Sequence, residues 1–473
     1  MSDPTTNHGA DAASGHPVLP DGATGPLSSP YRWLSIGMFS LIFLAAFETM
    51  AVTTIMPLVA RDLDGAALFA MAFAVPLAAG VVGMVLAGNW TDRSGPLPSL
   101  ITSAVLFAGG LLIAGTAPNM VVFILGRFVH GLAGAAVIVP LYVVVARVYP
   151  DALRARVFAG FAAAWVIPSI VGPALAGAVA QASSWRWVFL GVIALMLPAA
   201  AMMLPPILRV RDRVHGDPSV PWSLGRAGWS VLTAGAALAL SLAKELPEPW
   251  RWLLAAAAIA LVAVAVRPLM PAGTLRAAPG LPATVFLKLI VAGAFYGAEI
   301  YLPYLLIERY DFSPSLAGLT LTGAGISWAV ASWVLGRLGD RVTTAQSVQL
   351  GTILLAASLV VVLLIAVFTL PPVLAFVAWT LAGAAMGFMY PSFSVAVLQL
   401  SPKSAQGFNS AALSIGDSLG GAVALALTAL VAGAVAGGAF TAEFAVTVAI
   451  AAVAVVLAPR VRPRDEASAH SGE

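Results

Sequence analysis

The residues best placed to do chemistry are charges set in stretches that hold no water. Glu48 lies in LIFLAAFETMAVTTIMPLVA, residues 41–60, which is otherwise almost wholly apolar. Arg127 and His130 lie in GRFVHGLAGA, 126–135; Lys288 and Glu299 share one apolar run; Asp417 sits in LSIGDSLGGA, 413–422, of another. A charge in hydrocarbon is costly and marks a proton relay, a substrate contact or a structural pair. Glu48 follows Trp33 by fifteen residues, about 22 Å of helix, which is close to mid-bilayer. A carboxyl group there can exchange a proton near neutrality, or it can face a cation. The competing reading is a structural hydrogen bond or ion pair across helices.

Arg127 and His130 are three residues apart and share a helical face, which Gly131 and Gly134 continue as a line of close helix approach. They are expected to form a proton-sensitive network with Glu48, since imidazole titrates at physiological pH; a structural pin and a neutral, hydrogen-bonded His are the alternatives. Glu299 and Asp417 are further candidates for proton coupling or substrate binding, against structural pairing. Lys288, nearer a membrane face, is expected to snorkel. Phe295, Tyr296, Tyr301, Trp328, Trp333, Trp379 and Tyr390 are candidates to line an aromatic pocket, though each alone also fits lipid or core packing.

Such positions need elements that hold them in lipid. The chain has 473 residues, 60% hydrophobic and 10% charged, with a mean hydropathy of +0.95, far from the quarter or so of charged residues in soluble domains. Its apolar runs are continuous and lack the alternation of barrel strands, so they read as spanning helices. Runs centred on 31–57, 66–89, 98–116, 119–146, 155–181 and 186–208 make six. Two shorter ones follow at 227–243 and 250–268. Six more lie at 283–307, 315–338, 345–369, 372–400, 405–434 and 439–458. The expectation is an all-α integral membrane protein of fourteen helices, two pseudo-symmetric six-helix bundles with an inserted pair. Its parts are a disordered cytoplasmic tail (1–30), an N-terminal bundle (31–208), a cytoplasmic loop (209–226), the inserted pair (227–268), a linker (269–282), a C-terminal bundle (283–458) and a cytoplasmic tail (459–473). With the N-terminus inside, seventeen of the 24 Lys and Arg residues fall on the cytoplasmic side and five outside, with Arg127 and Lys288 within spans.

Several functions are disfavoured. There is no cysteine, hence no disulfide or thiolate metal site. No clustered metal ligands and no nucleophile–base pair stand out, so neither a metal site nor an enzyme is expected. The net charge of +3 is scattered, which argues against nucleic acid. No phosphate-binding Gly-rich loop with Lys-Ser/Thr is present, so nucleotide-driven transport is unsupported. The halves echo each other: GNWTDRSG (88–95) and GRLGDRVT (336–343) each follow a second span, and each first span carries a glutamate, Glu48 or Glu299. Duplicated bundles with a midplane site between them are the architecture of many secondary transporters.

These residues resemble the major facilitator superfamily. Gly88 to Gly95 looks like its loop between helices two and three. Gly126 to Ala135 looks like its helix-four motif with Arg127 as the membrane arginine. PSIVGPALAG, 168–177, carries the Gly172–Pro173 pair and Gly177 of its helix-five antiporter motif. Glu48, nine residues before Pro57, matches the acidic position of a first-helix motif in the fourteen-helix drug:proton antiporter group, to which SSWRWVFLG (183–191) is also similar. The resemblance covers 31 to about 458. It implies a monomeric plasma (bacterial inner) membrane protein with both termini cytoplasmic. It also implies alternating access and proton-coupled efflux of amphiphilic or cationic small molecules, with no cofactor beyond the proton gradient. Asp92, Arg93 and Gly95, with Asp340 and Arg341 as their copy, would then latch the bundles in one state, against a reading as ordinary loop charges. Gly172, Pro173 and Gly177 would control leak and access, against a plain kink. A proton-coupled carrier of a physiological solute, such as a lipid, sugar or secreted metabolite, is the alternative, and a non-transporting receptor or scaffold the remote one.

Overall fold

The computed structural model describes residues 25–210, 214–338, 341–402, 405–434 and 439–462. Most of the expected N-terminal tail, part of the 209–226 loop, Asp340 and most of the 459–473 tail lie outside these residues. Among the described residues the long elements are all helices. They are α1 (Arg32–Asp62), α2 (Met71–Ser94), α3 (Pro96–Gly115), α4 (Met120–Val148), α5 (Asp151–Ala182), α6 (Arg186–Arg209), α7 (Leu224–Leu242), α8 (Trp250–Ala265), α9 (Leu281–Glu299), α10 (Tyr301–Tyr310), α11 (Pro314–Leu338), α12 (Thr344–Phe368), α13 (Val373–Leu400), α14 (Gln406–Ala432) and α15 (Ala439–Leu457). Helices α9 and α10 form one crossing interrupted at Ile300, so the crossings number 14, as the apolar runs require.

Local chemistry sets the boundaries. Asn119 caps α4 by accepting the Val122 N–H at 3.0 Å. Thr343 and Gln346 form a reciprocal capping box on α12. Gly95, at φ +82°, ends α2, and Pro96 opens α3 at once.

Packing makes the pseudo-symmetry explicit. In the first bundle α1 packs on α5 and α6, α4 on α2 and α3, and α3 on α6. In the second, α9 packs on α14 and α15, α13 on α11 and α12, and α12 on α15. The same relation carries one bundle onto the other, with α9–α10 standing where α1 stands, and it extends to the seams. Helix α5 meets α11 on one side, and α2 meets α14 on the other. The inserted pair breaks this symmetry: α7 lies on α2 and α14 together, and α8 packs outside it on α7.

Call the end where α1 begins the near end and the end where it stops the far end. The contacts that join the bundles fall in the far half. Thr322 donates to the Ile170 carbonyl at 3.0 Å. A β-carbon on Gly318 would stand 3.0 Å from both Pro173 and Thr54. Arg61 on α1 pairs with Glu308 on α10. Helix α5 carries Pro168 and Pro173 in this region and reaches Ser315 of α11 at Gly177, where a β-carbon would come within 2.7 Å of the hydroxyl.

Candidate functional site

The first polar centre is built on α4. A β-carbon on Gly131 would run into the backbone of Pro76 in α2, and one on Gly126 would lie 2.5 Å from the Ala114 nitrogen in α3. Small residues therefore draw α4 against both neighbours, and its long side chains on the same stripe turn toward α1. Glu48 of α1 meets them there, fully enclosed, with Arg127 and His130 also buried. Arg127 Nη1 donates to Glu48 Oε1. Its Nε donates to the Ala72 carbonyl at 3.2 Å. That carbonyl is available because Pro76, four residues on inside α2, has no N–H to give it. A proline in one helix thus creates the acceptor that orients an arginine from another.

His130 completes the centre. Its Nδ1 lies 3.3 Å from Arg127 Nη1. A guanidinium only donates, so Nδ1 accepts and the ring proton sits on Nε2. Nε2 faces Glu48 Oε2 at 3.0 Å, an ion-pair approach that falls short of a directed hydrogen bond. Phe107 of α3 covers the ring at 4.5 Å between centroids. Glu48, Arg127 and His130 thus share one enclosed polar contact, and a change of charge on any one of them alters what the other two have to hold. Protonating His130 would set two donors, Nδ1–H and the guanidinium, against each other.

The second centre lies in the other bundle. Lys288 of α9 lies 3.2 Å from Asp417 Oδ1 of α14, with side chains 7% and 26% exposed. Tyr390 of α13 donates to the same Oδ1 at 2.6 Å, and its ring lies under the Lys288 ammonium. Trp328 of α11 meets Tyr390 at 4.8 Å and Phe295 at 6.0 Å between centroids, and Phe295 stacks on Trp379 at 5.0 Å. Tyr296 adjoins Phe295 at 5.7 Å. The sequence expectation that Lys288 snorkels is wrong: the ammonium is buried and paired, because Asp417 and two aromatic rings, Tyr390 and Phe393, replace the water it would otherwise seek.

Of the expected pocket aromatics, Phe295, Tyr296, Trp328, Trp379 and Tyr390 come together here. Trp333 is exposed and stacks under Arg337. Tyr301 lies elsewhere, 6.2 Å from Phe69 and within 3.4 Å of the Thr428 hydroxyl. Glu299 is buried and has no hydrogen bond or ion pair among the described residues. It closes α9, and Pro303 has no N–H to return to its carbonyl.

The near-end motif is tied to the chain entering α7. The Asp92 side chain is exposed, and its carbonyl accepts the Asp217 N–H at 2.8 Å. Arg93 donates to the carbonyls of Pro218 and Val220 at 3.1 and 2.8 Å. A β-carbon on Gly95 would stand 2.6 Å from the Val214 carbonyl. The Ser219 hydroxyl and N–H hold the exposed Asp217 carboxyl below its ordinary range. Arg341 is exposed at the near end, and Asp340 lies outside the described residues. Gly172 stands beside Phe47 and Met50 of α1, a β-carbon there meeting them at 3.5 Å.

Three features escaped the sequence reading. The Lys288–Asp417 pair joins residues far apart in the chain, with no local sign of their meeting. Arg61–Glu308 spans the bundles beside a far-end cavity of about 350 Å³ lined also by Pro57, Asp64 and Tyr304. Glu443 of α15 is buried with Oε2 unpartnered; an acid five residues into the last apolar run was its only signal.

Comparison with known proteins agrees with this architecture. The Major Facilitator Superfamily model matches residues 38–298 and 284–472. A probable multidrug-efflux transporter of Mycobacterium tuberculosis is 29% identical over 224 residues, 47% of each chain, so the chain matches about half the length of that relative. The multidrug efflux pump SdrM of Staphylococcus aureus is 24% identical over 411 residues, 82% of this chain and 88% of that one. A crystal structure of a POT family transporter with a thioalcohol-conjugated peptide superposes with a TM-score of 0.68 over 90% of this chain and 96% of the other, at 14% identity, a likeness of fold. With fourteen crossings, two matched bundles and a family model that spans nearly all of them, the chain belongs to the Major Facilitator Superfamily.

Proposed function

We propose that the protein is a proton-coupled secondary transporter of a small organic solute, working by alternating access in a plasma membrane. The observation that carries this reading is the closed centre of Glu48, Arg127 and His130, a carboxylate enclosed with an arginine and a titratable ring at the core of one bundle. A proton on Glu48 cancels the charge that holds Arg127. The freed guanidinium then keeps only the Ala72 carbonyl and the His130 ring, and the hold between α1 and α4 loosens. Glu48 is sealed from the gap between the bundles, so its role is to carry the proton and not to touch substrate. The bias of Lys and Arg puts the near end in the cytoplasm. Bundles joined in their far half then correspond to a carrier open to the cytoplasm, one of the two states that alternating access requires.

The wall of Tyr296, Trp328, Tyr390 and Asp417 suits an amphiphile with an aromatic body. Multidrug export is favoured by the names of the Mycobacterium and Staphylococcus relatives. Transport of a physiological solute is favoured by the peptide-bound POT structure, whose fold the chain shares as fully. Proteoliposomes with an internal pH dye test the common core. Wild type is expected to move protons when substrate moves; Glu48→Gln should lose uphill flux while keeping downhill exchange. Equal uphill flux by wild type and Glu48→Gln at every gradient would sink the proposal. A panel of organic cations, peptides and lipids in the same vesicles separates the two substrate readings.

A further inference from the structure

The second centre has a property that the first does not. Its acid is the exposed member of the pair and its base the buried one: Asp417 is 26% exposed, Lys288 only 7%. Asp417 lies one turn nearer the near end than Gly421, where Leu77 of α2 closes the seam between the bundles, a β-carbon there meeting Leu77 at 2.9 Å. A molecule entering from the near end therefore meets Asp417 and the rings of Tyr390 and Trp328 first. Lys288 stands behind them, boxed by Asp417, Tyr390 and Phe393. An incoming anion meets the carboxylate before the ammonium, whereas a cation competes directly with Lys288 for that carboxylate.

We propose that Lys288 is a tethered occupant of the cation subsite at Asp417, and that an organic cation binds there by displacing it and expelling its proton. This rests on the transport reading above and adds a second exchange site to it. The balance is simple. Before binding, the pair holds one carboxylate and one ammonium. After binding, Asp417 faces the cation of the substrate, the Lys288 amine is neutral, and one proton has left Nζ for the near-end water. The charge of the site is unchanged. The proton leaves because a buried ammonium without its carboxylate has neither water nor a counter-ion, and neutralising it is the less costly outcome.

Few other groups face Lys288. Asp417 is the sole titratable residue of α14 and Tyr390 that of α13; Tyr296 lies beside them on α9 itself, and Glu299 closes α9 farther toward the far end, eleven residues past Lys288. Helix α12 has none, and the single acid of α15, Glu443, stands at the level of Tyr301 toward the far end. Arg276 and Arg460 belong to the short turns at the near end, and the charges of α10 lie at the far end.

The test uses the full-length protein in detergent and tetraphenylphosphonium, a cation with no proton of its own. In wild type its affinity should rise with pH across neutrality, up to about tenfold per unit, with release of about one proton per cation attributable to this pair. Lys288→Arg keeps the pair but cannot shed a proton. It should bind the probe roughly tenfold or more weakly, release one proton fewer than wild type, and lose the corresponding pH slope. Asp417→Asn should lose binding. A wild-type affinity that ignores pH would overturn the proposal without any variant, as would Lys288→Arg releasing protons like wild type, or Asp417→Asn binding as tightly. The transport reading fails separately, through the uphill flux of Glu48→Gln, whose probe-linked proton release from Lys288 is expected to persist.

Discussion

Glu48, Arg127 and His130 are individually costly residues that become tolerable only together. Each charge stripped of water has to be met by another, and the Nε–H of Arg127 is taken by a carbonyl that Pro76 left open. Removing one partner exposes the full penalty. Arg127→Met is expected to destabilise the protein by about 3–5 kcal/mol, read as a lower midpoint of thermal unfolding in detergent. Glu48→Leu combined with Arg127→Met should recover most of that loss while leaving uphill transport absent. A double variant no more stable than Arg127→Met would mean that the pair is not what holds α1 to α4. Glu48 and Arg127 were legible in the sequence because a charge in an apolar run announces itself. Similar depth along two helices made their pairing an expectation, and the packing of α1 on α4 decided it. The part played by Pro76 did not, since nothing local links it to Arg127.

At the level of elements, α7 is held to its two neighbours by different chemistry. On the α2 side the bonds are polar: Asn89 donates to the Pro221 carbonyl and accepts the Ser223 N–H, Arg93 holds Pro218 and Val220, and Lys244 beyond α7 donates to the Ala67 carbonyl. On the α14 side the core of the contact is small and apolar, with Leu240 and Ala243 against Ala426 and Leu430. One phenylalanine, Phe408, also takes the Arg226 guanidinium at 5.1 Å. Directional bonds fix a position, whereas alanine and leucine surfaces tolerate sliding. The inserted pair should therefore travel with the first bundle and seal the α2–α14 seam while the second bundle moves. The chain has no cysteine, so cross-linking reads this directly. Cysteines at Asn89 and Ser223, bridged by a short bis-maleimide, should leave flux intact, while a bridge from Leu240 to Leu430 should arrest it. The reverse pattern would attach the pair to the second bundle. Apolar run lengths in the sequence were enough to reveal the pair, but gave no hint of the seam it covers.

Across the whole molecule, the bundles touch in their far half, and Arg61–Glu308 is the ion pair that crosses between them there. Both side chains are well exposed, so the pair contributes at most about 1 kcal/mol. That is little for folding, yet enough to shift a balance between two states several-fold. Arg61→Ala is therefore expected to leave the unfolding midpoint within a degree or so, while a cysteine placed at Ala60 becomes up to about fivefold more reactive to a thiol reagent added from the far side. Unchanged reactivity would show that the pair does not bias the closed far end.

The sequence by itself determined the solvent, the number of crossings and the doubling of the bundle, because run length and apolar content are local properties that a bilayer reads directly. It also marked Glu48, Arg127, His130, Glu299 and Asp417, since each breaks an apolar run. Only the tertiary structure decided which of these charges meet. Glu48 found its partners within its own bundle, Asp417 found Lys288, and Glu299, placed like Glu48 on a first helix, found none among the described residues. The reason is that ion pairs between helices depend on the rotation and depth at which those helices pack. Both are set by small residues such as Gly126 and Gly131, and by helix-breaking prolines such as Pro76, acting on helices remote in the chain.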